Sequence, residues 1–453
     1  MDRPTSFVPI PRRRVADWLA NAPRPLFTAF VIFASFSTYF CMYAFRKPFS
    51  ASSYEGLKFL GGEVDLKTAF VISQIIGYAL SKIVGIKVCA EIGRRRRALG
   101  LVLMILVAEL ALLLFAVLPN NLKVVAIFFN GLPLGMVWGL VVLYLEGRRT
   151  SEMLLAGLSC AYIVASGAVK DIGLWLMSTF PIDQFWMPSV TGLCFLPLFV
   201  ISVWLLNQLP QPDAADIEAR VERTTMGGSQ RWQFFRQFLP EMLLLSTVYF
   251  FLTAYRDYRD NFGKEIFESL GYGEKPAIFT RSELWVAFGV MAALAGLNLI
   301  RDNRRGLYGT FVIMTFGVLL LGGGTILWDL KLVSGLTWMI LTGLGAYLTY
   351  VPFGSVLFDR LIASTRAVGT AVFAVYVADA VGYSGAISVL LGKDLLAGDT
   401  ARIDFFRSLT YFMSVLGVIL LVLACGCLMK RHTHYAAGDL ADVPVVPELP
   451  ESA

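Results

Sequence analysis

Apolar residues in this chain run in long blocks, each closed by a short polar or basic cluster, rather than alternating with polar ones. A helix that crosses a bilayer needs roughly 20 mostly apolar residues, because about 30 Å of hydrocarbon is covered at 1.5 Å per residue. Read in that unit, the sequence predicts twelve membrane helices: 26–46, 66–88, 98–118, 123–145, 152–178, 185–208, 238–258, 282–300, 307–328, 334–357, 367–391 and 407–429. From about 431 onward the chain holds prolines and acids and is expected to be a disordered cytoplasmic tail, 431–453.

Basic clusters fall on one side of this layout. Arg12, Arg13 and Arg14 precede the first span, Arg94 to Arg97 separate the second and third, and Arg148 and Arg149 the fourth and fifth. Arg220, Arg223, Arg231 and Arg236 lie between the sixth and seventh; Arg301, Arg304 and Arg305 follow the eighth, Arg360 and Arg366 the tenth, and Lys430 and Arg431 the twelfth. The alternate loops, such as Pro119-Asn120-Asn121 and Pro181-Ile182-Asp183-Gln184, are almost free of base. Cytoplasmic loops carry the Lys and Arg excess, so both termini are expected in the cytoplasm of a plasma (inner) membrane protein. The expected division is a cytoplasmic segment 1–25, a six-helix half 26–208, a cytoplasmic linker 209–236 and a second half 237–430. An all-α, pseudo-symmetric pair of six-helix halves is the organisation of the major facilitator superfamily, with a solute site between them. Span one ends Ala44-Phe45-Arg46-Lys47 and span seven Ala254-Tyr255-Arg256-Asp257, an internal echo at matched positions.

Composition narrows the function classes. Of 453 residues only 16% are charged, against about 25% in a soluble protein. The net charge of +6 resides in the loop clusters, which argues against nucleic acid. Cys41, Cys89, Cys160, Cys194, Cys425 and Cys427 have neither disulfide-framework nor zinc spacing. The histidines, His432 and His434, are in the tail, and no Ser-His-Asp set exists. The chain is therefore read as a non-enzyme without cofactor or metal, acting as a monomer whose partners are the bilayer and a small solute. Arg12 to Arg14 lead into a full-length span without a small-residue cleavage site, so that span is expected to be retained.

Charges inside spans cost about 2.5–3.5 kcal/mol each and need a reason. Arg46 and Arg256 either clamp an anion from the two halves by bidentate hydrogen bonds or snorkel to the non-cytoplasmic interface. Tyr39 and Tyr43, seven and three residues before Arg46, share its helix face and either line that site or anchor the interface. Lys47, Asp257, Arg259 and Asp260 are gate salt bridges or solvated loop charges. Lys82, deep in span two, is placed to pair with Asp379 of span eleven; Asp379 is alternatively a carrier of a coupling proton. Lys170 is read as facing Glu283. Gly131, Gly135 and Gly139 form a packing ladder.

The run Thr38-Tyr39-Phe40-Cys41-Met42-Tyr43-Ala44-Phe45-Arg46-Lys47-Pro48-Phe49 resembles the first-helix signature of the organophosphate:phosphate antiporters, the glycerol-3-phosphate and hexose-phosphate transporter group. Tyr78-Ala79-Leu80-Ser81-Lys82 with Gly85 is similar to that family's second helix, Ser159-Cys160-Ala161-Tyr162 to its fifth, and Tyr350-Val351-Pro352 and Ala367-Val368-Gly369-Thr370-Ala371 to its tenth and eleventh. The resemblance implies that Arg46 binds phosphate between flanking tyrosines and that Lys82 approaches the solute. Tyr162 stands where the family has a substrate-contacting His. Either Arg256 or Arg259 takes the second-half role, and Asp379 has no counterpart. The implied function is secondary active transport of a small anionic, phosphorylated solute by alternating access, in exchange for phosphate. The alternatives are a non-transporting membrane sensor of an organophosphate and a proton-coupled carrier of another small solute.

Overall fold

A computed structural model describes residues 14–145, 151–210, 236–365, 371–398 and 400–436. The predicted linker, apart from its ends, and the final residues of the tail lie outside them. The α-helices are α1 (Arg14–Ala20), α2 (Arg24–Tyr43), α3 (Leu66–Glu91), α4 (Arg94–Val117), α5 (Asn120–Leu145), α6 (Ser151–Thr179), α7 (Met187–Leu206), α8 (Leu239–Asn261), α9 (Gly263–Ser269), α10 (Ile278–Asn298), α11 (Asn303–Asp329), α12 (Gly335–Ser355), α13 (Leu357–Thr365), α14 (Ala371–Leu396) and α15 (Arg402–Ala436). Twelve of these have 20 residues or more, and ten are long and apolar enough to cross a membrane. α8 is more polar because it carries Glu241, Arg256, Asp257, Arg259 and Asp260. The chain is an all-α, multi-pass integral membrane protein. Helix ends differ from the sequence expectation by a few residues throughout, and two of the differences stand out. α2 stops at Tyr43, before Arg46, and α15 runs on through Ala436, past the expected start of the tail.

The outer surface is apolar because its solvent is lipid. On α4, Leu103, Leu106, Val107, Leu110 and Leu114 are exposed, and on α15 Val415, Ile419, Val422 and Leu423. In a water-soluble bundle these faces would be polar.

The two sets of six long helices pack by the same scheme. In the first, α3 packs on α5, α2 on α6 and α7, and α4 on α5 and α7. In the second, α10 packs on α12, α8 on α14 and α15, and α11 on α12 and α15. Position for position these are the same pairs, so the echo between Arg46 and Arg256 reflects equivalent places in two similar bundles. The bundles meet along α6 against α10 and α3 against α14.

Tight α3–α5 packing depends on glycine. A Cβ at Gly131 would sit 2.5 Å from the Gln74 carbonyl oxygen, and one at Gly135 2.6 Å from that of Tyr78. Backbone cannot yield to such contacts as a side-chain tip can. Gly131→Ile is expected to cost about 1–3 kcal/mol or more through overpacking. Thermal unfolding in detergent checks this; an unchanged melting temperature would contradict the close approach.

Candidate functional site

The site begins with the end of α2. Pro48 has no N–H to give to the Ala44 carbonyl, so the ladder cannot continue past this point. Residues 44–47 form a turn, and a short 3₁₀ helix follows at Pro48–Ala51. Ending a helix inside the bilayer frees carbonyls that must be satisfied by protein. Two buried amides do so. Asn130 Nδ2 donates to Phe45 O (2.9 Å) and Ala108 O (3.1 Å); Gln74 Nε2 donates to Arg46 O (3.0 Å) and Asn130 Oδ1 (2.9 Å). The turn holding Arg46 is thus fixed from α3 and α5.

Arg46 projects into a cavity of about 150 Å³ between the bundles. Its guanidinium lies over the Tyr78 ring at 4.1 Å and the Tyr43 ring at 5.6 Å. Among the described residues it forms no ion pair, and its Nε is buried without a hydrogen-bond partner. Stacked on ring faces, a guanidinium keeps its in-plane N–H edge free for an oxyanion. From the other bundle, Arg256 lies over the Tyr350 ring at the same 4.1 Å, but Nη2 donates to Asp257 Oδ1 at 2.7 Å.

The structure brings most of the expected residues to this cavity: Tyr39, Tyr43, Arg46, Lys47, Lys82, Tyr162, Arg256, Asp260 and Asp379 all line it. Lys82 donates to Asp379 Oδ2, joining α3 to α14, while Tyr249 Oη donates to Asp379 Oδ1 at 2.7 Å. Arg259 is elsewhere. It is buried between Glu283 (2.8 Å) and Met339 O (2.8 Å), leaving Arg256 as the second-half arginine at the cavity. The expected facing of Lys170 and Glu283 is corrected as well. Lys170 pairs with Asp260 Oδ1 (2.5 Å), and Glu283 belongs to Arg259, which α8 brings between them.

Beyond Lys47, ion pairs close the cavity at the end remote from the arginine clusters. Lys47 pairs with Asp260 Oδ2 (2.6 Å), Lys67 with Glu265 (2.6 Å) and Asp65 with Arg402 (2.5 Å), each joining one bundle to the other. Asp171 of α6 accepts from Thr280 N (2.6 Å) and Phe279 N (3.3 Å), filling orphan donors in the first turn of α10. Outside the membrane, Lys58 donates to Asp65 at 2.6 Å, and that bond holds its ammonium above the ordinary value.

The sequence reading did not single out Tyr249, Tyr347, Tyr383 or Trp138 as lining residues. A signal exists. Tyr249, Arg256 and Asp260 recur at helical spacing on one face, as do Tyr347, Tyr350, Val351 and Gly354, and Val375, Asp379 and Tyr383. It also missed Glu109, which lies outside the cavity and accepts from Ser189 at 2.5 Å.

The Lys82–Asp379 pair is testable by a double-mutant cycle. Lys82→Ala alone is expected to cost about 3–5 kcal/mol, because it strands a buried carboxylate. Lys82→Ala with Asp379→Ala is expected to cost clearly less than the two losses added. Denaturant unfolding in detergent measures it, and additive losses would show that the groups do not interact.

The fold has relatives among solved structures. The chain is similar to the crystal structure of a D-xylose-proton symporter, with a TM-score of 0.60 at 12% identity over 88% of this chain and 97% of that one. It is similar to a variant of the nucleoside transporter NupG (0.56, 13% identity, 89% and 99% covered) and to a bacterial homologue of the human drug peptide transporters PepT1 and PepT2 (0.59, 12% identity, 89% and 98% covered). The shared architecture is the major facilitator fold. No curated protein matches the sequence. Residues 48–431 match the model described as a family of unknown function, DUF5690, and the chain belongs to that family.

Proposed function

We propose that this protein is a secondary active transporter that moves a small anionic solute between its two helical bundles by alternating access. The observation that carries the reading is Arg46: a guanidinium inside the membrane-embedded cavity, paired with no carboxylate among the described residues and stacked so that its donor edge stays open. A cation kept in that state is stabilised once an anion binds. The proteins that share the fold are, by description, a symporter, a nucleoside transporter and a peptide transporter homologue, which favours transport. Tyr39, Tyr43 and Tyr162 supply hydroxyls around the anion, Lys82 and Arg256 its second circle of charge, and Lys47, Lys170 and Asp260 the closed gate. A phosphorylated solute exchanged for phosphate is the form of this reading that the first-helix signature favours. In this reading the Arg clusters put both termini in the cytoplasm, and the host is the plasma (inner) membrane.

A second reading, a proton-coupled carrier, is favoured by one observation: Asp379 presents a carboxylate within the same cavity. It predicts uptake that collapses with the pH gradient and in Asp379→Asn, without competition by phosphate.

Reconstituted into phosphate-loaded liposomes, the protein is expected to exchange labelled phosphate and to be inhibited by phosphorylated competitors. Arg46→Lys keeps the charge and loses the fork, and is expected to weaken half-saturation about tenfold or more. Absence of both phosphate flux and a phosphate-dependent thermal shift would defeat the exchange reading; wild-type affinity in Arg46→Lys would exclude direct contact.

A further inference from the structure

The cavity's charges fall into pairs with one left over. Four cations line it, Arg46, Lys47, Lys82 and Arg256, and three carboxylates, Asp257, Asp260 and Asp379. Each carboxylate has a lining cation at contact distance: Arg256–Asp257 at 2.7 Å, Lys47–Asp260 at 2.6 Å, and the short Lys82–Asp379 pair. Behind the wall Arg259 is matched by Glu283, Lys170 shares Asp260 with Lys47, and Asp171, next to Lys170 in sequence, accepts from Phe279 and Thr280. Among the lining residues one positive charge remains, on Arg46.

We infer that the cavity selects a singly charged oxyanion (a sulfonate, carboxylate or phosphodiester group) over a doubly charged one, and that Asp379 is the residue that sets this preference by cancelling Lys82. The inference rests on the anion-site reading above but not on its organophosphate form: a phosphate monoester, mostly doubly charged near neutral pH, falls in the disfavoured class unless it enters as its singly protonated monoanion. A monoanion brings the loaded site to neutrality, the least costly state for charge removed from water. A dianion leaves one charge in excess and pays a desolvation cost that rises with the square of charge. Were Lys82 free, two cations would face the solute and the balance would reverse. Tyr249, donating to the oxygen of Asp379 that Lys82 leaves free, holds the carboxylate toward Lys82.

Benzenesulfonate and phenyl phosphate test this, since they share a ring and differ by one charge at pH 8, the second phosphate pKa being about 6. Binding of each to the full chain in lipid nanodiscs is measured by calorimetry at fixed low salt. The wild type is expected to favour benzenesulfonate about tenfold or more, and Asp379→Asn to favour phenyl phosphate by a similar factor. Lys82→Gln with Asp379→Asn restores the wild-type charge and is expected to restore the wild-type preference, which a merely structural role for Asp379 would not do. Asp257→Asn, which uncovers Arg256 instead, is expected to shift the ratio in the same direction and serves if the Asp379 variant does not fold. A wild type that favours the dianion, or a ratio unmoved by both single variants, overturns the inference while leaving the anion site standing. Failure of both probes to bind, or binding indifferent to Arg46→Gln, overturns the anion site itself.

Discussion

A charge drawn away from water needs compensation, and the turn that follows α2 brings the Arg46 guanidinium into the cavity between the bundles. Most cations in and around the cavity have a carboxylate within contact distance: Lys82, Arg256 and Arg259 have one each, and Lys47 and Lys170 share Asp260. Arg46 has aromatic faces instead. A ring face attracts a cation by its quadrupole without neutralising it, so the site stays positive and still tolerates burial. The arrangement around it follows from that: tyrosines where another protein would place leucine, and a cavity where another would place a packed core.

The groups that hold Arg46 are uncharged. Pro48 ends the helix ladder, Asn130 and Gln74 take up the carbonyls this frees, and the glycines of α5 let α3 approach closely enough for the two amides to meet. Each is of a kind expected at its place. A helix broken inside a bilayer is tolerated only where its backbone is satisfied by protein, and an amide side chain can donate to two acceptors at once without adding charge. Asn130 does so, to Phe45 and to Ala108. The position of the Arg46 turn therefore rests on hydrogen bonds between uncharged groups, which neither salt nor a modest pH change disturbs.

Long-range arrangement was legible where one force dominates. Hydropathy located all twelve long helices because burial of apolar surface in lipid leaves little choice, and it failed at Tyr43 because the break depends on Pro48 and two amides distant in sequence. Lys82 and Asp379 could be matched from their depth in spans two and eleven once those spans were expected to face each other in the facilitator fold, and the structure pairs them. Lys170 could not. Glu283 and Asp260 both lie within its reach, and the choice turns on Arg259 claiming Glu283. Tyr249, Tyr347 and Tyr383 were unreadable for another reason: tyrosine is favoured both at membrane interfaces and in polar cavities, and helical spacing separates the two only once helix rotation is known. The organophosphate resemblance rests on a few charged positions, whereas the match to the family of unknown function runs through residues 48–431.

The pairs that join the bundles differ in kind from the pair within α8. Arg256 and Asp257 belong to one helix and travel together in any rigid-body movement. Lys47–Asp260, Lys67–Glu265 and Asp65–Arg402 cross between bundles, and all lie at one end. A buried ion pair contributes little net stability, because desolvation offsets most of the Coulomb gain, but stranding one partner is expensive. In the proposed cycle that asymmetry is useful. Parting the bundles at that end admits water to both partners of each pair at once, so neither is stranded and the closed form is held without being made much deeper than the open one. Apolar contacts in the same place would have to be exposed outright as the bundles part. In that cycle charged pairs at the rim and aromatic faces around Arg46 solve opposite problems: the first permits separation at low cost, and the second leaves one charge without a carboxylate for the proposed anion to meet.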